Sequence, residues 1–204
     1  LWAMGADGRP VESRESDDGM GRLTRDGFAP ALAKLAEGWP EDAPVVACGM
    51  VGSRQGWVEA AYATLPCPPL SPDLARAPGP RTVHVIPGLK QISPPDVMRG
   101  EETQIAGYLA LNPGWDGVLC LPGTHSKWVE VSAGEVVSFR TFMTGEFFAL
   151  LSGQSVLRHS VGDGWDAEAY AEAVSTTLSR PEDLAARLFR IRADQLLNGT
   201  GADT

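Results

Sequence analysis

The sequence predicts an α/β protein. Short apolar runs typical of strands alternate along the 204 residues with longer stretches in which apolar residues recur at helical spacing. A glycine-rich segment directly follows the apolar run 44–48, and open α/β sheets bind ligands at such strand ends. We therefore expect a sheet protein with a ligand site just past the end of a strand.

Composition excludes several classes of partner. Apolar residues make up 43% and charged residues 21%, as in ordinary globular proteins. The net charge is −9 and no run of Lys or Arg occurs, which argues against nucleic acid and anionic membranes as partners. The three cysteines are widely spaced, without a CxxC pair, and no apolar stretch is long enough to cross a membrane. These features predict a cytoplasmic protein with reduced thiols.

The first half of the chain is predicted to contain several strands and one helix. An Asp-Gly turn within 1–16 indicates a hairpin. Apolar residues spaced by three and four predict a helix over about 24–38. The run 44–48 is expected to be a buried strand, 82–87 another strand, and the proline-rich 63–80 an extended surface crossing.

The second half combines helices with an antiparallel meander. A helix is predicted over about 101–111, and Asn-Pro-Gly after it is a natural hinge. We expect one domain over 1–113 and a second over 114–204. Three strands within 117–142 form the meander. Further helices are predicted from 144, over 166–179 and over 181–197, the last with a buried stripe of Leu184, Leu188, Ile191 and Leu196.

The turn inside the meander has the composition of a phosphate-binding loop. Glycine lets a backbone approach a ligand closely, hydroxyl and N–H groups donate to phosphate oxygens, and lysine adds a positive charge. The candidate residues are Gly123, Thr124, His125, Ser126 and Lys127. The alternative is an ordinary polar turn between two strands.

Two further segments carry candidate chemistry. The glycine-rich segment after the strand at 44–48 contains Ser53, Arg54, Gln55 and Trp57. These side chains are candidate ligand contacts because of their position, and the alternative is a plain connecting loop.

The second segment lies at the start of the predicted helix 101–111. It contains Asp96, Arg99, Glu101 and Glu102. Carboxylates at a helix start complement the helix dipole, which is the simplest explanation of their presence. They can also hold a general base or bind Mg²⁺ through water.

Four ordered blocks together resemble one family. Residues 49–59, 98–104, 121–128 and 139–146 are similar to segments of the 2-dehydro-3-deoxygalactonokinase family. No Walker A loop, G-x-G-x-x-G, H-E-x-x-H or G-x-S-x-G motif is present. The resemblance implies a sugar-acid kinase of the actin-like ATPase superfamily, with two α/β domains around a nucleotide cleft. ATP, Mg²⁺ and a small sugar acid are the implied ligands.

The resemblance also suggests roles for the candidate residues. The loop residues from Gly123 to Lys127 would hold the phosphates of ATP. Glu101 would orient or deprotonate the acceptor hydroxyl, with Asp96 as its rival, and Glu102 would bind Mg²⁺. The carboxylate of the sugar acid would pair with Arg54 or Arg99. Ser53, Gln55 and Trp57 would line the sugar pocket.

Departures from the family pattern keep other functions open. The chain begins after the Asp-Trp-Gly-Thr-like turn with which family members start, so we expect a piece of a longer protein. A phosphatase or nucleotide hydrolase, a sugar-acid or nucleotide sensor without activity, and a purely structural fragment remain alternatives. A homodimer is also left open.

Overall fold

The structure is a computed structural model that describes residues 1–201. Within these residues it is an α/β chain of short strands and five α-helices. The strands are β1 (Trp2–Met4), β2 (Pro10–Ser13), β3 (Val45–Ala47), β4 (Tyr62–Thr64), β5 (Ala75–Ala77), β6 (Val83–Val85), β7 (Gly88–Gln91), β8 (Asp96–Met98), β9 (Gly117–Leu121), β10 (Ser126–Ser132) and β11 (Glu135–Phe142). The helices are α1 (Phe28–Leu35), α2 (Glu101–Leu111), α3 (Thr144–Gln154), α4 (Ala167–Ser179) and α5 (Leu184–Asn198).

The chain forms two compact units. Unit 1 comprises Leu1–Leu121 and Lys127–Thr141, and unit 2 comprises Pro122–Ser126 and the chain from Phe142 onwards. The predicted domains, 1–113 and 114–204, stay a prediction. In the described part of the chain, no helix is both long and apolar enough to cross a membrane.

All the sheets contribute residues to unit 1, and two of them combine parallel and antiparallel neighbours. In the order β3-β6-β5, β3 runs parallel and β5 antiparallel to β6. In the order β4-β7-β8, β4 runs parallel and β8 antiparallel to β7. The expected hairpin at the start of the chain is the pair β1-β2. This mixture confirms the α/β class.

The meander is confirmed as a sheet with the order β11-β10-β9. Alternation along β10 explains its orientation: Val129 and Val131 are buried, whereas Trp128 and Glu130 are exposed. A tight turn joins β10 to β11, with Ala133 at φ 50° and its glycine neighbour at φ 79°. Such left-handed pairs match the twist of a hairpin.

Two clusters of buried apolar side chains hold unit 1 together. One packs α2 against the meander and the sheet of β7 and β8; its members are Leu89, Met98, Ile105, Val129, Val131, Val136 and Phe139. The other surrounds α1 and β6; its members are Phe28, Trp57, Ala60, Ala77, Val83 and Val85. The helix α2 has the predicted bounds because its apolar residues Ile105 and Leu109 face the first cluster.

Three sequence predictions were wrong in detail. The run 44–48 was expected to be buried, but β3 lies at a sheet edge and Val46 is 61% exposed. The crossing 63–80 contains residues of β4 and the whole of β5, so it is partly strand. Three residues of the predicted buried stripe of α5, Leu184, Leu188 and Ile191, line an open groove of about 540 Å³ between α4 and α5. Leu184, Ile191 and the fourth member, Leu196, are exposed.

Candidate active site

Two of the predicted ligand segments lie side by side in unit 1. A 3₁₀ turn, Gly49–Gly52, follows β3, and the residues after β8 lead into α2. A Cβ on Gly100 would come 3.3 Å from the Cα of Gly49, and Gly100 has a φ of 108° that favours glycine. The Arg99 guanidinium reaches over and donates from Nη2 to the Ala60 carbonyl oxygen at 2.7 Å. The structure therefore brings these two segments together.

The four side chains predicted in the glycine-rich segment do not form one pocket. Ser53 is 7% exposed and Trp57 is 6% exposed, and the Trp57 ring stacks on Phe28 with centroids 6.0 Å apart. Arg54 and Gln55 are exposed, and Arg54 lies 3.5 Å from Glu59. Trp57 thus serves the core, while Arg54 and Gln55 face solvent.

Arg99 is held differently from Arg54. Its guanidinium lies 4.3 Å above the ring of Tyr62, a cation–π contact. Its Nε and Nη1 atoms are buried and have no hydrogen-bond acceptor among the described residues. A charged side chain therefore enters the interior with only part of its hydrogen-bonding capacity used.

Two carboxylates begin α2, and each is oriented by a backbone N–H group just before the helix. Arg99 N donates to Glu101 Oε2 at 3.0 Å, and Gly100 N donates to Glu102 Oε2 at 2.6 Å. Thr103 Oγ1 also donates to Glu102 Oε1 at 3.3 Å. Glu102 is fully buried, whereas Glu101 is partly exposed. Burial raises the pKa of the Glu102 carboxyl above its ordinary value of 4.5, and hydrogen bonds offset part of that shift.

Asp96 is committed to structural hydrogen bonds. Its Oδ1 accepts from Val97 N at 2.8 Å and from Thr141 Oγ1 at 2.7 Å, and its Oδ2 accepts from Thr141 N at 2.8 Å. Together with Gln91, whose Oε1 accepts from Phe139 N at 3.0 Å, it ties the β7-β8 hairpin to β11. Both oxygens of this carboxylate are therefore occupied.

Lys127 belongs to the same network. The residue is 5% exposed, and its Nζ donates to Val97 O and Thr141 Oγ1, each at 2.7 Å. The Thr141 hydroxyl in turn donates a hydrogen bond to Asp96 Oδ1, so the three side chains form one chain of hydrogen bonds. The buried ammonium group therefore has two hydrogen-bond acceptors within the protein.

The remaining loop residues belong to unit 2, where the loop contacts the start of α3. Gly145 N donates to Gly123 O at 3.3 Å, and Glu146 N donates to Thr124 O at 3.0 Å. Among the described residues, the N–H groups of Thr124 and His125 have no acceptor. The loop thus presents two free backbone donors beside a helix N-terminus.

Side chains also connect this loop to α3. Ser126 and Thr144 share a hydrogen bond between their hydroxyls, and Thr144 Oγ1 lies 3.4 Å from Gly123 O. His125 Nε2 lies 2.6 Å from Glu146 Oε2 in a partly exposed pair. A Cβ on residue 145 would lie 2.7 Å from Gly123 O, so the close approach requires glycine there.

The residues at the start of α3 were not among the candidate site residues predicted from the sequence. One of the four resembling blocks contains Thr144, Gly145 and Glu146. A Thr-Gly-Glu sequence just after a predicted strand is the signal that could have identified them. Thr141 was also missed. A threonine in a strand gives no indication of its partner, because Asp96 is 45 residues away.

The comparisons with known proteins define the family. A family model described as "2-keto-3-deoxy-galactonokinase" matches residues 1–204. The chain therefore belongs to this family, which confirms the resemblance read from the four blocks.

Individual relatives agree with the family model. The chain is 39% identical over 214 residues to "Probable 2-dehydro-3-deoxygalactonokinase DgoK1" of Rhizobium meliloti, with 99% of the chain and 70% of the relative covered. It is 37% identical over 193 residues to the 2-dehydro-3-deoxygalactonokinase of Escherichia coli, with 92% and 64% covered. A crystal structure of a "putative 2-dehydro-3-deoxygalactonokinase protein" from Sinorhizobium meliloti superposes with a TM-score of 0.91 at 37% identity, with 99% of the chain and 71% of that protein covered.

The network around Thr141 should contribute to stability. We expect Thr141→Val to lower the free energy of unfolding by about 1–3 kcal/mol, because Lys127 loses an acceptor and Asp96 loses a donor in the interior. The same substitution at the exposed Thr64 of β4 is the control, with an expected change within about 0.5 kcal/mol. Urea denaturation of both variants measures the free energy of unfolding. An equal loss of that free energy in the two variants would contradict a stabilising role for this network.

The buried carboxylate of Glu102 predicts a pH dependence. Its raised pKa means that the folded state holds the proton more tightly than the unfolded state, so its contribution to stability is complete below pH 4.5. That contribution is lost as the pH rises through the folded-state pKa. We expect the free energy of unfolding of the wild type to fall with pH relative to that of Glu102→Gln. Denaturation curves of the wild type and of Glu102→Gln, recorded at a series of pH values from 4.5 upwards, measure this change. A difference in unfolding free energy that does not vary with pH would contradict the raised pKa of Glu102.

Proposed function

We propose that this chain takes part in the transfer of the γ-phosphoryl group of ATP to the terminal hydroxyl of 2-dehydro-3-deoxygalactonate. Membership of the family is the observation that carries the proposal. The names of two curated relatives give the same activity. The chain spans 70% and 64% of those relatives, so the activity of a whole protein is part of the proposal.

Glu101 is the proposed general base. Its Oε2 is fixed by the Arg99 N–H group, while Oε1 has no donor among the described residues and the side chain is partly exposed. It can therefore accept the proton of the acceptor hydroxyl as that oxygen bonds to the γ-phosphorus and the bond to the β–γ bridging oxygen breaks. Asp96 is the weaker candidate, because three donors already occupy its oxygens.

The loop Pro122–Ser126 is the proposed phosphate site. The unpaired N–H groups of Thr124 and His125 are donors suited to anionic oxygens, and the start of an 11-residue helix lies beside them. Gly123 keeps the backbone accessible, and Ser126 supports the loop through its bond to Thr144. Lys127 fits a supporting role better, because its ammonium group already donates to two protein acceptors.

Mg²⁺ remains a prediction from the chemistry of ATP. Glu102 does not fit the ion, because it is fully buried and both oxygens accept protein hydrogen bonds. Among the described residues, no cluster of three His, Cys, Asp or Glu side chains could hold a metal.

We also infer an actin-like ATPase architecture and a cytoplasmic location for this protein. The meander ending in a glycine-containing loop supports the first inference. The second rests on the free thiols of Cys48, Cys67 and Cys120. A homodimer stays a hypothesis that a measurement of mass in solution can test.

The test of the proposed reaction is the mass of the products formed from ATP, Mg²⁺ and 2-dehydro-3-deoxygalactonate. The E. coli relative serves as the positive control. We expect a phosphorylated sugar acid, and a loss of about 10²–10⁴-fold in turnover for Glu101→Gln with little change in substrate affinity. The exposed Glu15→Gln is the matched control. Free phosphate without a phosphorylated sugar would indicate a hydrolase, and ligand binding without turnover would indicate a sensor.

A further inference from the structure

Unit 1 buries two polar side chains whose donors lack acceptors. They are Ser53, through its Oγ, and Arg99, through Nε and Nη1; each of these atoms exposes less than 1 Å². No other buried side-chain nitrogen or oxygen without a hydrogen-bond partner is found in the described residues. Because buried polar groups in proteins are nearly always paired, two such groups in one region require an explanation.

The two groups belong to the same small region. Gly52, which precedes Ser53, packs so closely on Arg99 that a Cβ added to it would lie 2.8 Å from Nη1. Other buried serines in the chain are paired: Ser126 with Thr144, and Ser160 with Gln195 at 2.7 Å. The missing partner of Ser53 is therefore not typical of buried serines in this chain.

The chemistry of the region indicates an anion. A guanidinium offers only donors and a fixed positive charge, and a serine hydroxyl can donate as well as accept. The Arg99 Nη2 atom already donates to Ala60 O, and the guanidinium also contacts the ring of Tyr62. A small anion with two oxygens would supply the acceptors that Ser53 and Arg99 lack.

We infer that Ser53 and Arg99 bind the carboxylate of the sugar acid. This inference rests on the proposed function and decides between the two arginines that the sequence left open. Arg54 is the weaker candidate because its side chain is 80% exposed and lies near Glu59. Gly52 packs closely on Arg99 Nη1, so entry of the anion requires this segment to shift. The uncompensated burial of the unpaired donors makes the arrangement without the anion costly and favours the shift.

Binding of 2-dehydro-3-deoxygalactonate, measured by calorimetry, tests the inference on the 204-residue chain. Arg99→Lys keeps the charge but loses the planar set of donors, and we expect the dissociation constant to rise roughly tenfold or more. Ser53→Ala should weaken binding about fivefold while leaving the melting temperature unchanged or higher, because its hydroxyl has no partner to lose. Ser160→Ala, which removes a paired hydroxyl, should lower the melting temperature.

Two controls separate the carboxylate site from general effects. The exposed Arg76→Lys should bind the acid as the wild type does. For 2-deoxygalactose, which has no carboxylate, Ser53→Ala and Arg99→Lys should bind no more weakly than the wild type.

The outcomes distinguish this inference from the proposed function. The carboxylate site would be overturned if Ser53→Ala and Arg99→Lys bound the acid with wild-type affinity, or if Arg54→Met lost affinity instead. Either result would leave the kinase proposal standing. Failure of the acid to bind the wild type, under conditions in which it binds the E. coli relative, would overturn both.

Discussion

The arrangement of unit 1 depends on the hydrogen bonds that the buried ammonium group of Lys127 donates. Removing a charge from water is costly unless it gains good hydrogen bonds, and here Val97 O and Thr141 Oγ1 supply them. Thr141 in turn is fixed by Asp96, so β8, β10 and β11 are joined through side chains. Because β8 leads directly into α2, the same network positions the carboxylates at the start of that helix. Lys127, which the sequence suggested as a phosphate ligand, is thus a member of this buried hydrogen-bond network.

Much of the fold could be predicted from the sequence because its elements are locally encoded. The helix α2 and the meander have strong periodicity and clear turn residues, and both were predicted close to their observed bounds. The short strands β7 and β8 were missed, because three or four residues carry too little pattern and their pairing depends on distant partners. The prediction that the stripe on α5 is buried was wrong for a related reason, because helical spacing identifies an apolar face but not what covers it.

The candidate site shows the same limit more sharply. Sequence position identified the segments at Gly49–Trp57 and Asp96–Glu102, and the structure brings them together. It could not reveal which side chains within them face inward, so Arg54 and Arg99 looked equivalent. Burial, unpaired donors and the contact with Tyr62 distinguish the two arginines. These properties arise from packing between residues far apart in the chain, which composition and spacing do not encode.

We propose that unit 1 recognises the sugar acid while the loop of unit 2 recognises the nucleotide. Hydrogen–deuterium exchange with each ligand added separately tests this proposal most directly. We expect the sugar acid to slow exchange in residues 49–57 and 99–102, and ATP to slow exchange in residues 122–126 and 144–147. Protection of residues 122–126 by the sugar acid alone, or of residues 49–57 by ATP alone, would contradict it.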